Sequence, residues 1–212
     1  FILGDLRDIS FIDTIFTSLP SKIGSSFDEV YQLAADMGGA TYINSGLNDA
    51  DVISNSITIN VNVAKACVKY KIGRLFFSSS ACVYKPTSED CSTCKEDEAY
   101  PAFPDNEYGW EKLFTERMLK SFYRQYGLIS RIARFHSIIG DFATWNGGKE
   151  KAHSALARKV AMVEENGTIE IIGDGEQLRT FLYVSDCVSG VRKLLASDCE
   201  EVINIGSDET IS

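Results

Sequence analysis

The feature that most constrains this chain is a short apolar run ending in hydroxyls, Arg74-Leu-Phe-Phe-Ser-Ser-Ser80, which continues as Ala81-Cys82-Val83-Tyr84. A run without polar alternation is the pattern of a parallel strand covered by helices on both faces. In open α/β sheets ligands bind outside the carboxyl ends of the strands, which puts the serines where chemistry is expected. Downstream, Tyr108-Gly-Trp-Glu-Lys112 places a phenol and an ammonium on one face of a helical turn. An ammonium beside a phenol stabilises the phenolate, lowering a pKa that is ordinarily about 10. Tyr108 is therefore expected to act as a base near neutral pH.

The rest of the chain alternates strand and helix patterns. Residues 9 to 18 read as a short helix, 22 to 27 as a loop and 28 to 34 as a strand, followed by the glycine turn Gly38-Gly39. Apolar positions Val52, Ile53, Ile57, Val61, Ala64 and Val68 recur at helical spacing between residues 49 and 70. After the strand at 74 to 80 comes an acidic, proline-punctuated loop from Lys85 to Asn106, read as a lid or as solvated surface. A helix is expected over 107 to 126 and a strand over 129 to 135. Beyond these the pattern predicts a helix from about 149 to 163, strands at 168 to 172, 178 to 184 and 202 to 205, and a helix at 188 to 196. If the backbone stays extended past residue 80, Ser80 and Cys82 project to the same side. Lys151 falls in the first turn of the helix from 149, where the positive dipole end disfavours its ammonium.

Charge excludes some functions. The net charge of -9 argues against a nucleic-acid surface, which clusters Lys and Arg. No apolar run approaches the roughly 20 residues needed to span a bilayer, and no secretory leader is read at the start. The six cysteines make no disulfide framework, so a reducing, cytoplasmic setting is expected. Cys91 and Cys94 form a lone pair of loop thiols rather than a zinc site, and no metal is expected.

The strand ending in Ser80 together with Tyr108 and Lys112 resembles the working triad of the extended short-chain dehydrogenase/reductase superfamily. The segments 33 to 39, 133 to 136, 144 to 152 and 173 to 179, with Ser80-Ala-Cys-Val-Tyr84, look like the blocks of the GDP-mannose 3,5-epimerase family, in family order. The resemblance implies a Rossmann-like doubly wound parallel sheet. Residues 1 to 140 would form a partial NAD-binding domain lacking its opening βαβ unit and glycine-rich loop. Residues 141 to 212 would form part of a substrate-binding lobe, interleaved with a returning strand and helix. NAD is the implied cofactor, with Asp5 near its adenine end and Tyr108 and Lys112 at the other. A GDP-sugar is the implied substrate, and a homodimer the implied assembly.

The resemblance also implies roles. Ser80, Tyr108 and Lys112 would oxidise C4 of the sugar, and Cys82 and Lys151 would exchange protons on the neighbouring carbon. Substrate contacts would come from Gly38, Ser80, Ala81, Cys82, Ser137, Glu150, Lys151, Ala152, Lys159, Gln177, Leu178 and Arg179. Related 4,6-dehydratases place Asp-Glu where Ala81-Cys82 stands. Two departures bear on the substrate: Ser137 where the family has Asn, and Ile139-Gly140-Asp141 in place of Tyr-Gly-Pro. Two other readings fit the residues. One is a GDP-4-keto-6-deoxymannose epimerase-reductase, which resembles the Ser-x-Cys-x-Tyr pattern, and the other a non-catalytic nucleotide-binding relative.

Overall fold

The Phe-rich run forms strand β2 (Arg74–Ser80), paired in parallel with β1 (Glu29–Gln32) on one side and β3 (Ser130–Phe135) on the other. Strand β7 (Ile203–Ile205) adds in parallel beyond β3, giving the order β1-β2-β3-β7. This computed structural model describes residues 1–23, 26–85, 94–176 and 178–212. Side chains of β2 alternate between two buried layers. Leu75 and Phe77 pack with Ile12 of α1 (Ile9–Ile23), Val63 and Cys67 of α3 (Asp49–Lys69) and Leu119 of α4 (Glu107–Tyr126). Phe76 packs on the other face with Val191, Leu194 and Leu195 of α6 (Val184–Ala196). Helices on both faces of a parallel sheet make the doubly wound architecture that the uninterrupted apolar run implied. Full burial of each phenylalanine contributes about 1.5–3 kcal/mol.

Several boundaries differ from the sequence expectation. Helix α1 runs on to Ile23, its Thr14, Thr17 and Ser18 hydroxyls returning to carbonyls four residues back. Strand β1 keeps only four residues of the expected seven. Residues 168 to 172 form no strand, although their pattern suggested one. A strand needs a partner, and among the described residues this segment pairs with none. The expected strand at 178 to 184 splits into β5 (Arg179–Thr180), antiparallel to β8 (Thr210–Ile211), and β6 (Leu182–Tyr183), parallel to β4 (Ile138–Ile139). The split occurs at Phe181, where the chain changes partner, and α6 starts directly after Tyr183. Helix α5 (Ala152–Met162) is shorter than expected at its amino end, so Lys151 caps it in an extended conformation instead of sitting in its first turn. A four-residue helix, α2 (Ala40–Ile43), follows the glycine turn.

The described part of the loop after Lys85 is tied down rather than loose. A 3-10 turn at Glu96–Ala99 anchors it: the Glu96 carbonyl accepts from Arg134 Nη1 at 2.8 Å and its carboxylate from Asn204 N at 2.9 Å. Arg134 is the hub of a buried network. It pairs with Glu116 of α4 at 2.8 Å, both side chains 3% exposed, and donates to the Tyr84 hydroxyl at 3.0 Å. Ser79 of β2 donates to the same carboxylate at 2.5 Å. A buried pair is costly to break because the surviving charge stays dry. Glu116→Gln should therefore lose about 3–5 kcal/mol of unfolding free energy. Ser79→Ala should lose about 1 kcal/mol, both read from urea unfolding.

Candidate functional site

Strand β2 delivers its last serine to the crevice at the strand ends, and the chain then tightens. Residues Ala81–Val83 form a 3-10 turn, whose amino end Ser80 caps by accepting from Cys82 N at 3.2 Å. The extended backbone expected past Ser80 is thus replaced, and the turn, not strand alternation, brings the thiol beside the hydroxyl. Helix α4 starts where Asn106 Oδ1 accepts from Gly109 N at 2.9 Å. Gly109 lies against the turn itself: a Cβ built there would stand 2.1 Å from the Cys82 carbonyl oxygen. That contact sets Tyr108 next to Cys82, in a cluster with Ile43, Val52 and Met37. The Ser80 hydroxyl bears on both the Tyr108 phenol and the Cys82 thiol, favouring the ionised form of each.

The electrostatics correct the simplest reading of the Tyr-Lys pair. Tyr108 is 7% and Lys112 2% exposed. Burial pushes the Tyr108 phenol above its ordinary value, the negative side of Cys82 and Glu111 adds to this, and only the Ser80 hydroxyl opposes it. Burial likewise pulls the Lys112 ammonium down, against the Glu111, Cys82 and Glu116 charges that pull it up. Desolvation disfavours both charged forms, so proximity alone does not make the phenolate. Lys112 Nζ stands 5.4 Å from the Tyr108 ring centroid, 4.7 Å from that of Phe77 and 3.9 Å from Glu111 Oε2. Cys82 is also pushed up by burial, while the Ser80 hydroxyl and the charges of Lys151 and Lys112 pull it back.

Lys151 reaches this region on a strap from a distant part of the sequence. The Gly39 amide donates to the Lys149 carbonyl at 3.0 Å. A Cβ on Gly39 would stand 2.2 Å from the Glu150 carbonyl oxygen and 3.2 Å from Lys151 Cα, so a side chain there would displace the strap. Lys149 Nζ pairs with Asp36 at 3.0 Å and lies 4.2 Å from the Tyr42 ring centroid. Asp36 also accepts from Asn55 and Tyr42; against the opposing effect of burial, Asn55, Lys149 and Tyr42 together hold its carboxyl below the ordinary value.

The remaining expected contacts separate into those near the crevice and those engaged elsewhere. Ala81 is in the turn, and Gly38 is buried with its Cα against the Tyr42 side chain. Ala152 opens α5. Glu150 is committed to Gly148 N at 2.7 Å and Arg158 at 3.1 Å, an arginine that also reaches the Trp145 carbonyl. The Ser137 carbonyl accepts from Leu182 N. Lys159 donates to the Glu170 carbonyl, and Arg179 to that of Leu178 at 2.7 Å. Asp5 is gripped by Arg7, whose hydrogen bonds hold its carboxyl down at about 2. Gln177 and Cys91 lie outside the described residues. Sequence reading did not foresee the Asp36–Lys149, Glu150–Arg158 and Glu111–Lys112 pairs; charges in glycine-rich or helical stretches read as solvated surface.

The residues present suit a nicotinamide cofactor at one end. Lys112 Nζ makes no hydrogen bond among the described residues, leaving an ammonium donor beside Tyr108 to meet ribose hydroxyls.

The family model for the NAD dependent epimerase/dehydratase family matches residues 1–206. The chain is 42% identical over 194 residues to GDP-mannose 3,5-epimerase 1 of Oryza sativa subsp. indica, covering 90% of this chain and 50% of that protein. It is equally 42% identical over 194 residues to GDP-mannose 3,5-epimerase of Arabidopsis thaliana, with the same 90% and 50% coverage. The chain thus spans about half the length of the curated relatives it matches. In fold it is similar to a UDP-glucose 4-epimerase of Thermotoga maritima solved with UDP-glucose. The TM-score is 0.81 at 22% identity, covering 98% of this chain and 62% of that one. With a parallel sheet wound on both faces and a Ser-Tyr-Lys group at its strand ends, this chain belongs to the NAD-dependent epimerase/dehydratase family.

Proposed function

We propose that the protein is an NAD-dependent nucleotide-sugar epimerase that inverts GDP-mannose at C5, and at C3, through a transient 4-keto sugar. The observation that carries this reading is that Tyr108 and Cys82 pack in one cluster at the end of β2, where Ser80 Oγ accepts from Cys82 N at 3.2 Å, with the Lys151 charge acting on the same thiol. An oxidation group and a proton-exchange group thereby share one crevice. The 42% identity to plant GDP-mannose 3,5-epimerases supports the choice of sugar.

NAD, held at the Tyr108 and Lys112 end of the crevice, would supply a reversible acceptor for the C4 hydrogen. Tyr108, in its phenolate form, takes the C4 hydroxyl proton while Ser80 donates a hydrogen bond to the same oxygen, and Tyr108 returns that proton when C4 is reduced again. Lys112 contributes positive charge beside the phenol and holds ribose hydroxyls. The C4 ketone acidifies the hydrogens on C3 and C5. Cys82, as thiolate, then takes the proton from one face of the carbon, and Lys151, as ammonium, gives a proton to the other. Afterwards Cys82 is protonated and Lys151 neutral, and exchange with solvent resets both. In this reading Gly38, Ala81, Glu150 and Ala152 shape the sugar pocket, Lys159, Gln177, Leu178 and Arg179 lie toward the nucleotide, and Asp5 lies toward the adenine. The protein would work as a homodimer through α3 and α4, where Trp110 and Phe114 are 41% and 49% exposed.

Removing the phenol removes the base with little change in volume. In the intact protein, Tyr108→Phe should lower turnover by about 10²–10⁴-fold while nucleotide-sugar binding, read by calorimetry, persists. Undiminished turnover would mean that another group deprotonates C4.

A second substitution separates the two chemistries. In heavy water with GDP-mannose, the wild type should incorporate deuterium at C5. Cys82→Ala should lose most of that incorporation, because a methyl group neither takes nor gives a proton. It keeps Tyr108 and Lys112, so it should still reduce NAD on addition of substrate, read from nicotinamide absorbance. Normal epimerisation by Cys82→Ala would make the thiol mere packing.

A further inference from the structure

We propose that Glu111 is a positioning residue that holds Lys112 protonated and in place beside Tyr108. Glu111 is wholly buried, at 0% exposure. Its Oε1 accepts from Asn60 Nδ2 at 2.6 Å and Thr115 Oγ1 at 3.0 Å. Asn60 is itself fixed, its Oδ1 accepting at 2.7 Å from Gln32 Nε2, which also reaches the Ala34 carbonyl. Side chains from β1, α3 and α4 thus immobilise one carboxylate oxygen. The other, Oε2, is buried without a hydrogen bond and stands 3.9 Å from Lys112 Nζ.

A carboxylate that served only to join α3 to α4 would have both oxygens satisfied, since an open buried acceptor is costly. The open oxygen here faces a cation that burial works to discharge. The other ionisable groups bearing on Lys112 are Cys82 from the turn after β2, and Tyr108 and Glu116 on α4. Glu116 is committed to Arg134, β2 presents the Phe77 ring, and α3 presents the uncharged Asn60. Burial pushes the Glu111 carboxyl up, and Lys112, Thr115 and Asn60 favour its ionised form against that, so Glu111 is the carboxylate whose charge is free to act on Lys112. Its negative charge raises the proton affinity of Lys112 and of the Tyr108 phenol alike, so its loss must lower both.

The inference rests on the reading of Tyr108 and Lys112 given above, and its test has a readout independent of turnover. In the intact protein labelled with ¹⁵N-lysine, the Lys112 signal is identified by its disappearance in Lys112→Met and titrated without substrate. Glu111→Gln keeps the shape and the acceptor for Asn60 and Thr115, and should lower the Lys112 pKa by about one unit or more. Thr115→Val leaves the carboxylate but weakens its ionised form, and should shift Lys112 in the same direction by less. The pH optimum of GDP-mannose-driven NAD reduction should move to lower pH in Glu111→Gln, which a purely structural loss would not produce. An unchanged Lys112 titration in both variants overturns the proposal. Wild type that titrates as expected but does not reduce NAD with GDP-mannose overturns the substrate reading instead.

Discussion

Buried charge on α4 is the constraint on which the rest of this structure depends. Glu111, Lys112 and Glu116 lie on one helix and all three are buried. Each ionised group taken from water costs several kcal/mol unless a partner or hydrogen bonds meet it, so the helix has few places to dock. Glu116 is met by Arg134 and Ser79, Glu111 by Asn60 and Thr115, and Lys112 by Glu111 and the Phe77 ring. Those partners come from β1 through Asn60, and from β2, β3 and α3 directly. Satisfying them fixes the rotation and depth of α4, and with it the position of Tyr108.

What could be read from the sequence followed from signals local to a segment. The bounds of β2, α3 and α4 match expectation to within a residue because an apolar run, a helical stripe and end signals mark them. Asn106 caps α4 and Gly127 closes it with φ 72°. Residues 168 to 172 carry the right composition for a strand and form none, because pairing depends on what lies alongside. The spacing of Tyr108 and Lys112 gave their adjacency but not their charge state, which desolvation by neighbouring elements sets. Glu111 was invisible for the same reason: a glutamate inside a helix reads as solvated, and only tertiary packing turns it inward. The main chain of Lys151 lies against Gly39, a contact that no local pattern encodes.

The polar contacts around Asp36 join two regions that chemistry would otherwise treat separately. Arg7 grips Asp5 and donates to Asn55 at 2.8 Å, Asn55 donates to Asp36 at 2.9 Å, and Asp36 accepts from Lys149 at 3.0 Å. Exposed pairs of this kind each contribute little to stability. In series they run from the segment expected at the adenine to the strap before Lys151.

The contact between Gly109 and the Cys82 carbonyl has a further consequence. With a built Cβ only 2.1 Å from that oxygen, helix and turn meet at the closest separation that two main chains allow here. Main chain at this junction works as a fixed ruler between position 82 and the phenol. Sliding one element past the other would drive main chain into main chain, so helix and turn hold a fixed spacing. A substitution at position 82 accordingly changes the side chain presented there and not its main-chain distance from the phenol's helix.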